Sequence, residues 1–153
     1  MDFLAIIPAR SGSKGVKNKN KKELNNKPLI EYTIEASIKS KLVSKTYVST
    51  DDDEIIDLTK KYNKCNFIKR PKHLSLDNTP SADVAVHILH HLKEKNNYFP
   101  DAIILLQPTS PFRNSMHIDE AIKMYKSELN TKSLVSVTKV PHNMIPESIM
   151  KKD

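Results

Sequence analysis

Only two glycines occur in 153 residues, and both fall in one segment: Arg10-Ser11-Gly12-Ser13-Lys14-Gly15-Val16-Lys17-Asn18-Lys19-Asn20-Lys21-Lys22. Average usage would give about ten. The segment carries six cations and no acid, and it follows the apolar run Phe3-Leu4-Ala5-Ile6-Ile7-Pro8 directly. A strand running into a glycine loop suits phosphate chemistry. Glycine lets backbone N–H groups approach an anion, while Arg10, Lys14 and Lys19 can neutralise its charge. The spacing fits neither the G-x-G-x-x-G dinucleotide fingerprint nor the Gly-Lys-Ser/Thr triphosphatase loop. From charge alone, a solvated lysine-rich loop is an equal alternative.

The net charge of +7 comes from 25 basic and 18 acidic residues. Without the glycine segment, 19 basic residues face 18 acidic ones, so the basicity belongs almost entirely to one loop. A nucleic-acid binder spreads its cations along a face and interleaves aromatic side chains for stacking. This loop has no aromatic residue, so a compact anion such as a nucleoside triphosphate is the better match than nucleic acid.

Other reactive types carry less. His87, His90 and His91 share one predicted helix, but the glutamate of H-E-x-x-H is missing and no third ligand is indicated. Val84, Ile88 and Leu92 mark the buried stripe that these histidines flank. Cys65 has no helper base nearby in sequence and reads as a packed thiol. As the single cysteine, it excludes an internal disulfide framework. Asp51-Asp52-Asp53-Glu54 reads as a helix start, where negative charge meets the positive end of the dipole.

The elements that must position these residues alternate between short apolar runs and amphipathic stretches. Strands are predicted at 3–8, 46–50, 66–69, 103–106 and 134–140. Helices are predicted at 28–40, opening at Asp51-Asp52-Asp53-Glu54, at 82–96 with Ser81 as cap, and at 115–129. Alternating strands and helices require right-handed crossovers, hence an α/β fold with a mainly parallel sheet covered by helices on both faces. Its ligand site is expected at the carboxyl ends of the strands. The glycine loop, 70–81 and 107–113 all fall there. With 38% apolar and 28% charged residues, the chain reads as globular, and no apolar run is long enough to span a bilayer. The start lacks a basic leader, so the reading expects a cytoplasmic protein that does not associate with membranes.

Five separated segments resemble a known family in order. They are Ile7-Pro8-Ala9-Arg10-Ser11-Gly12-Ser13-Lys14-Gly15 with Lys19-Asn20, Val48-Ser49-Thr50-Asp51, Arg70-Pro71, Asp77-Asn78-Thr79-Pro80-Ser81, and Leu105 to Arg113 with its Gln107-Pro108-Thr109-Ser110-Pro111. Together they resemble the acylneuraminate cytidylyltransferases, which make CMP-activated nonulosonic acids on a Rossmann-like nucleotide-diphospho-sugar transferase fold. The related synthetases for the eight-carbon acid Kdo carry an acidic Gly-Asp-Glu-Pro type segment after the fourth strand, so Gln107 to Pro111 resembles the nonulosonic branch.

The resemblance implies roles. Arg10, Ser13, Lys14 and Lys19 would hold the triphosphate of CTP, with Arg10 and Lys19 the catalytic cations, and Asn20 would approach the ribose. Arg70, Thr79 and Ser81 would frame the cytosine. Gln107, Thr109 and Ser110 would line the pocket of the acceptor acid. The reaction would be attack of the anomeric hydroxyl on the α-phosphorus with release of pyrophosphate, assisted by Mg²⁺. Family members continue further, so the chain reads as C-terminally truncated, with residues 1–140 a nucleotide-binding domain and 141–153 the start of a dimerisation segment. The metal ligands and the homodimer contact are expected in the part beyond it. A non-catalytic CTP-binding module, or a remnant of such an enzyme, is the alternative reading.

Overall fold

The computed structural model describes residues 1–13, 15–128 and 130–137. Strand β1 (Phe3–Pro8) is the centre of the fold. Its side chains alternate between two cores: Phe3, Ala5 and Ile7 enter one, Leu4 and Ile6 the other. That is why the run is apolar at every position, as a strand buried on both faces must be. β1 pairs in parallel with β4 (Lys45–Thr50) on one side and β6 (Ala102–Leu105) on the other. β5 (Cys65–Lys69) pairs in parallel with β4, giving the order β5-β4-β1-β6.

Helices cover both faces. α1 (Leu29–Ile38), α2 (Asp53–Lys60) and α4 (Ser115–Ser127) contribute Ile30, Ile34, Ile55, Ile118 and Ile122 to the larger core. α3 (Ser81–Asn96) alone contributes Ala85, Ile88 and Leu92 to the smaller one. On that side β6 is only partly covered, and Ile103 and Leu105 stay 43% and 39% exposed. The parallel α/β architecture expected from the sequence is present. No helix of the described residues is long and apolar enough to cross a membrane.

Two local expectations need correction. Ser81 is not a cap: Pro80 occupies that position without a side-chain bond, and Ser81 is the first residue of α3. Proline fixes the extended backbone a helix entry needs, which frees the serine hydroxyl. Residues 134–137 form no strand, and Val135 and Val137 are largely exposed. Alternating apolar residues become a strand only where a neighbour accepts their backbone hydrogen bonds. The rest of the expected fifth strand, Lys14, and the segment expected at 141–153 lie outside the described residues.

The sequence reading also passed over a hairpin, β2 (Glu23–Leu24) with β3 (Lys27–Pro28). Its turn residues Asn25 and Asn26 have φ of 50° and 58°, the left-handed pair that a two-residue hairpin loop needs.

His87, on α3, has a buried Nδ1 with no hydrogen-bond partner among the described residues. Burial pushes its pKa below 6.5, and the charges of His91, Arg70, His73 and His90 act in the same direction. The unfolded chain therefore takes up this proton first, and stability should fall as pH drops below 6.5. The depressed carboxyls Glu35, Asp51 and Asp119 titrate lower still. His87→Gln should shrink the loss of stability between about pH 7.5 and about pH 5.5, read from urea unfolding midpoints.

Candidate functional site

The carboxyl ends of β1, β4 and β5 are stitched together by polar side chains. Arg70, just past β5, is 5% exposed; its Nε donates to Ser49 Oγ at 3.0 Å and its terminal nitrogen to Ser49 O at 2.7 Å. Burial pushes the guanidinium pKa down to about 10, opposed by the nearby Asp51 carboxylate. Asp51 follows β4 and accepts hydrogen bonds from Ser11 N at 2.8 Å and Ser11 Oγ at 2.6 Å. Burial raises the Asp51 pKa, but the Ser11 bonds and the Arg70 charge outweigh it, and the net shift is downward. So Asp51 fixes the first turn of the glycine loop, a role the helix-start explanation of 51–54 missed. That explanation holds for its neighbours: Asp52 is the N-cap of α2 and accepts from Glu54 N.

The rest of the loop is pinned in the same way. Ala9 N donates to Ser49 O at 2.9 Å, and the buried Asn20 amide donates to Arg10 O at 3.1 Å. Lys21 sits between Asp52 (3.0 Å) and Glu54 (2.9 Å), and the hydrogen bond to Glu54, then that to Asp52, holds its pKa above the usual lysine value. Leu29 N closes the loop on Lys22 O at 2.9 Å. Gly12 has φ +64°, which a side chain would strain. A Cβ at Gly12 or Gly15 would meet no atom within 4 Å, so both backbones are open to an approaching group.

This loop is one wall of an open pocket of about 510 Å³ at the strand ends. Arg10, Ser13, Lys19 and Asn20 line it from the glycine loop, Arg70, Thr79 and Ser81 from the connection into α3, and Gln107 and Thr109 from the segment after β6. Nine of the eleven residues singled out in the sequence are therefore brought together. Ser110 is not on the wall; its N–H donates to Gln107 O at 3.4 Å. Lys14 lies outside the described residues.

Several of these side chains are already engaged. Gln107 Nε2 donates to Ser81 Oγ at 3.3 Å, bridging two walls. Arg113 donates to Gln107 O at 2.9 Å and to Thr33 Oγ1 at 3.4 Å, which ties the 107–113 turn to α1. Arg10 is paired with Asp77, a wall residue to which the sequence analysis gave no role.

Among the described residues no group of three or more His, Cys, Asp or Glu side chains could hold a metal ion. The carboxylates around the pocket, Asp51, Asp52 and Asp77, are held by Ser11, Lys21 and Arg10 and do not fit a magnesium cage. A second hollow of about 320 Å³ lies at β5, where Cys65 and His91 are among the lining residues. Burial pushes the Cys65 thiol up to about 12, so it is a packed thiol and not a nucleophile at neutral pH.

A family model described as cytidylyltransferase matches residues 4–151. The chain is 43% identical over 137 residues to an N-acylneuraminate cytidylyltransferase of Escherichia coli, covering 90% of this chain and 31% of that protein. It is 36% identical over 140 residues to a CMP-N,N'-diacetyllegionaminic acid synthase of Legionella pneumophila, covering 92% and 59%. A pseudaminic acid cytidylyltransferase of Campylobacter jejuni is 36% identical over 126 residues, covering 82% and 53%. These relatives are thus longer proteins, of which the chain spans from 31% to 59%. In fold it is similar to a CMP:2-keto-3-deoxy-manno-octonic acid synthetase solved in complex with CTP, with a TM-score of 0.69 at 20% identity over 85% of this chain and 49% of that one. A glycine loop anchored at the strand ends of a parallel sheet and a match along nearly the whole sequence agree: the chain belongs to the cytidylyltransferase family.

Proposed function

We propose that the pocket binds CTP and that the whole protein transfers CMP to the anomeric hydroxyl of a nonulosonic acid, releasing pyrophosphate. The observation that carries this reading is the convergence of the glycine loop, the connection into α3 and the turn after β6 on one pocket. The named relatives act on N-acylneuraminic, diacetyllegionaminic and pseudaminic acids, which are all nonulosonic acids.

The chemistry needs alignment and charge neutralisation more than a covalent intermediate. The anomeric oxygen forms a bond to the α-phosphorus as the bond from that phosphorus to the pyrophosphate oxygen breaks. Arg10 and Lys19 face the negative charge that builds on the departing pyrophosphate. Ser13 and the open backbone at Gly12 and Gly15 donate to phosphate oxygens. Asn20, held against Arg10 O, sits at the ribose end, and Arg70, Thr79 and Ser81 frame the base. Gln107 and Thr109 face the acceptor acid, with Ser110 bracing their turn.

Magnesium enters as the companion of the triphosphate; the described carboxylates do not cage it, so no step here runs through the metal. Homodimerisation through the segment from residue 141 belongs to the same proposal, as does action in the cytoplasm, where CTP is at hand.

Thermal unfolding with CTP, UTP, ATP and GTP, with and without Mg²⁺, tests the nucleotide half of the reading. A ligand at a hundred times its Kd stabilises the native state by about 2.7 kcal/mol. Selective stabilisation by CTP is expected, and a folded protein indifferent to all four nucleotides overturns the proposal. Pyrophosphate release on adding a nonulosonic acid then separates an enzyme from a module that only binds.

Two variants distinguish contact from positioning. Arg10→Ala removes charge-assisted bonds to phosphate and should weaken CTP binding by about ten- to a hundred-fold. Its ion pair is partly exposed, so unfolding free energy should change by less than about 1 kcal/mol. Asp51→Ala strips the acceptor from Ser11 N–H and O–H and should cost about 1–3 kcal/mol in urea unfolding.

A further inference from the structure

Arg10 makes two kinds of contact. One terminal nitrogen donates to the loop carbonyls Ser11 O (3.3 Å) and Gly12 O (3.1 Å). The other is paired with the carboxylate of Asp77. The pair spans the pocket from the glycine loop to the connection between β5 and α3, and its partners are only 26% and 34% exposed. Within that connection the backbone bonds are local: Leu74 N to Pro71 O, Ser75 N to Lys72 O and Thr79 N to Leu76 O. Among the described residues, the Arg10–Asp77 pair ties it to the glycine loop.

A carboxylate and a phosphate oxygen ask the same thing of a guanidinium: a negative acceptor within reach of its N–H donors. They cannot both have the donors that Asp77 takes. We propose that Asp77 is an internal competitor for the phosphate position, so that anion binding at the glycine loop exchanges the Arg10–carboxylate pair for an Arg10–phosphate pair. The exchange also alters a contact of the 71–80 connection, which carries Leu76 and Thr79 on the pocket wall. Asp77 thus lowers affinity for the anion and couples its arrival to the wall that faces the base. The coupling to a base rests on the CTP reading; the competition does not.

The sign of the effect makes the test sharp. Removing an acid that merely supports the loop weakens binding, whereas removing a competitor tightens it. Calorimetric titration with inorganic pyrophosphate should show Asp77→Asn binding about two- to five-fold more tightly than the natural chain, the range of a partly exposed ion pair. CTP should follow pyrophosphate, and cytidine should not change. Asp77→Glu keeps the carboxylate and should return the affinity toward the natural value. Asp83→Asn, in the first turn of α3, makes the same change in net charge without touching the pair and should tighten binding less.

Unchanged or weaker pyrophosphate binding in Asp77→Asn overturns the inference, and so does equal tightening in Asp83→Asn. A natural chain that shows no preference for CTP while Asp77→Asn still tightens pyrophosphate overturns the cytidine reading and leaves the competition standing.

Discussion

Arg70 carries a cation into the carboxyl edge of the sheet, and its surroundings are shaped by that charge. Placing a guanidinium there costs several kcal/mol in lost hydration unless acceptors and an opposite charge replace the water. Ser49 supplies two acceptors and Asp51 supplies the charge. Asp51 in turn holds Ser11, so the same charge balance that makes Arg70 tolerable also sets the first turn of the glycine loop. The ends of β1, β4 and β5 are thus locked to one another by polar contacts, above a core that is apolar on both faces of β1. The hydrophobic cores build the sheet, and the Arg70–Asp51 pair decides how its working edge is presented.

Six cations look like one reservoir of positive charge in the sequence, but the fold divides them. Lys21 is spent between Asp52 and Glu54, where it fastens the loop to the start of α2. Arg10 faces the pocket but is answered by Asp77. Lys19 lines the pocket wall. Formal charge therefore overstates the field that an arriving anion meets, and the acids that reduce it come from the start of α2 and the connection before α3. This is the arrangement expected of a compact-anion site rather than a polyelectrolyte surface, where unopposed cations give the affinity its steep salt dependence.

What the sequence made legible follows from what hydrophobic pattern measures. β1 was readable residue for residue, and α3 to within one, because burial on a sheet or a helix face leaves a period in the chain. Polar contacts between distant segments leave none. Hydrophobic pattern does not distinguish Asp51 from Asp52 and Asp53, yet Asp51 reaches back forty residues to Ser11 while Asp52 caps a helix. The site could be gathered from strand-end loops and family resemblance, but the engagement of Arg10 by Asp77 and of Gln107 by Ser81 is visible only in three dimensions. The hairpin at 23–28 does carry a local signal in Asn25-Asn26, the residue type that tolerates the left-handed turn.

Glycine is scarce in this chain, and both copies stand in the loop. Five described residues have positive φ, and four are asparagines: Asn18, Asn25, Asn26 and Asn97. Asparagine tolerates the left-handed region at a modest cost because its short polar side chain can bond locally. Among the described residues, then, the left-handed region is taken mostly by asparagine, and Gly12 is the one glycine that uses it. Gly12 shares the left-handed φ of those asparagines, but Gly15 does not, and neither has a neighbour where a Cβ would stand. What glycine adds over asparagine there is open space beside the backbone N–H groups. Gly15 lines the cationic pocket, and open space beside its backbone is what close approach of a phosphate requires.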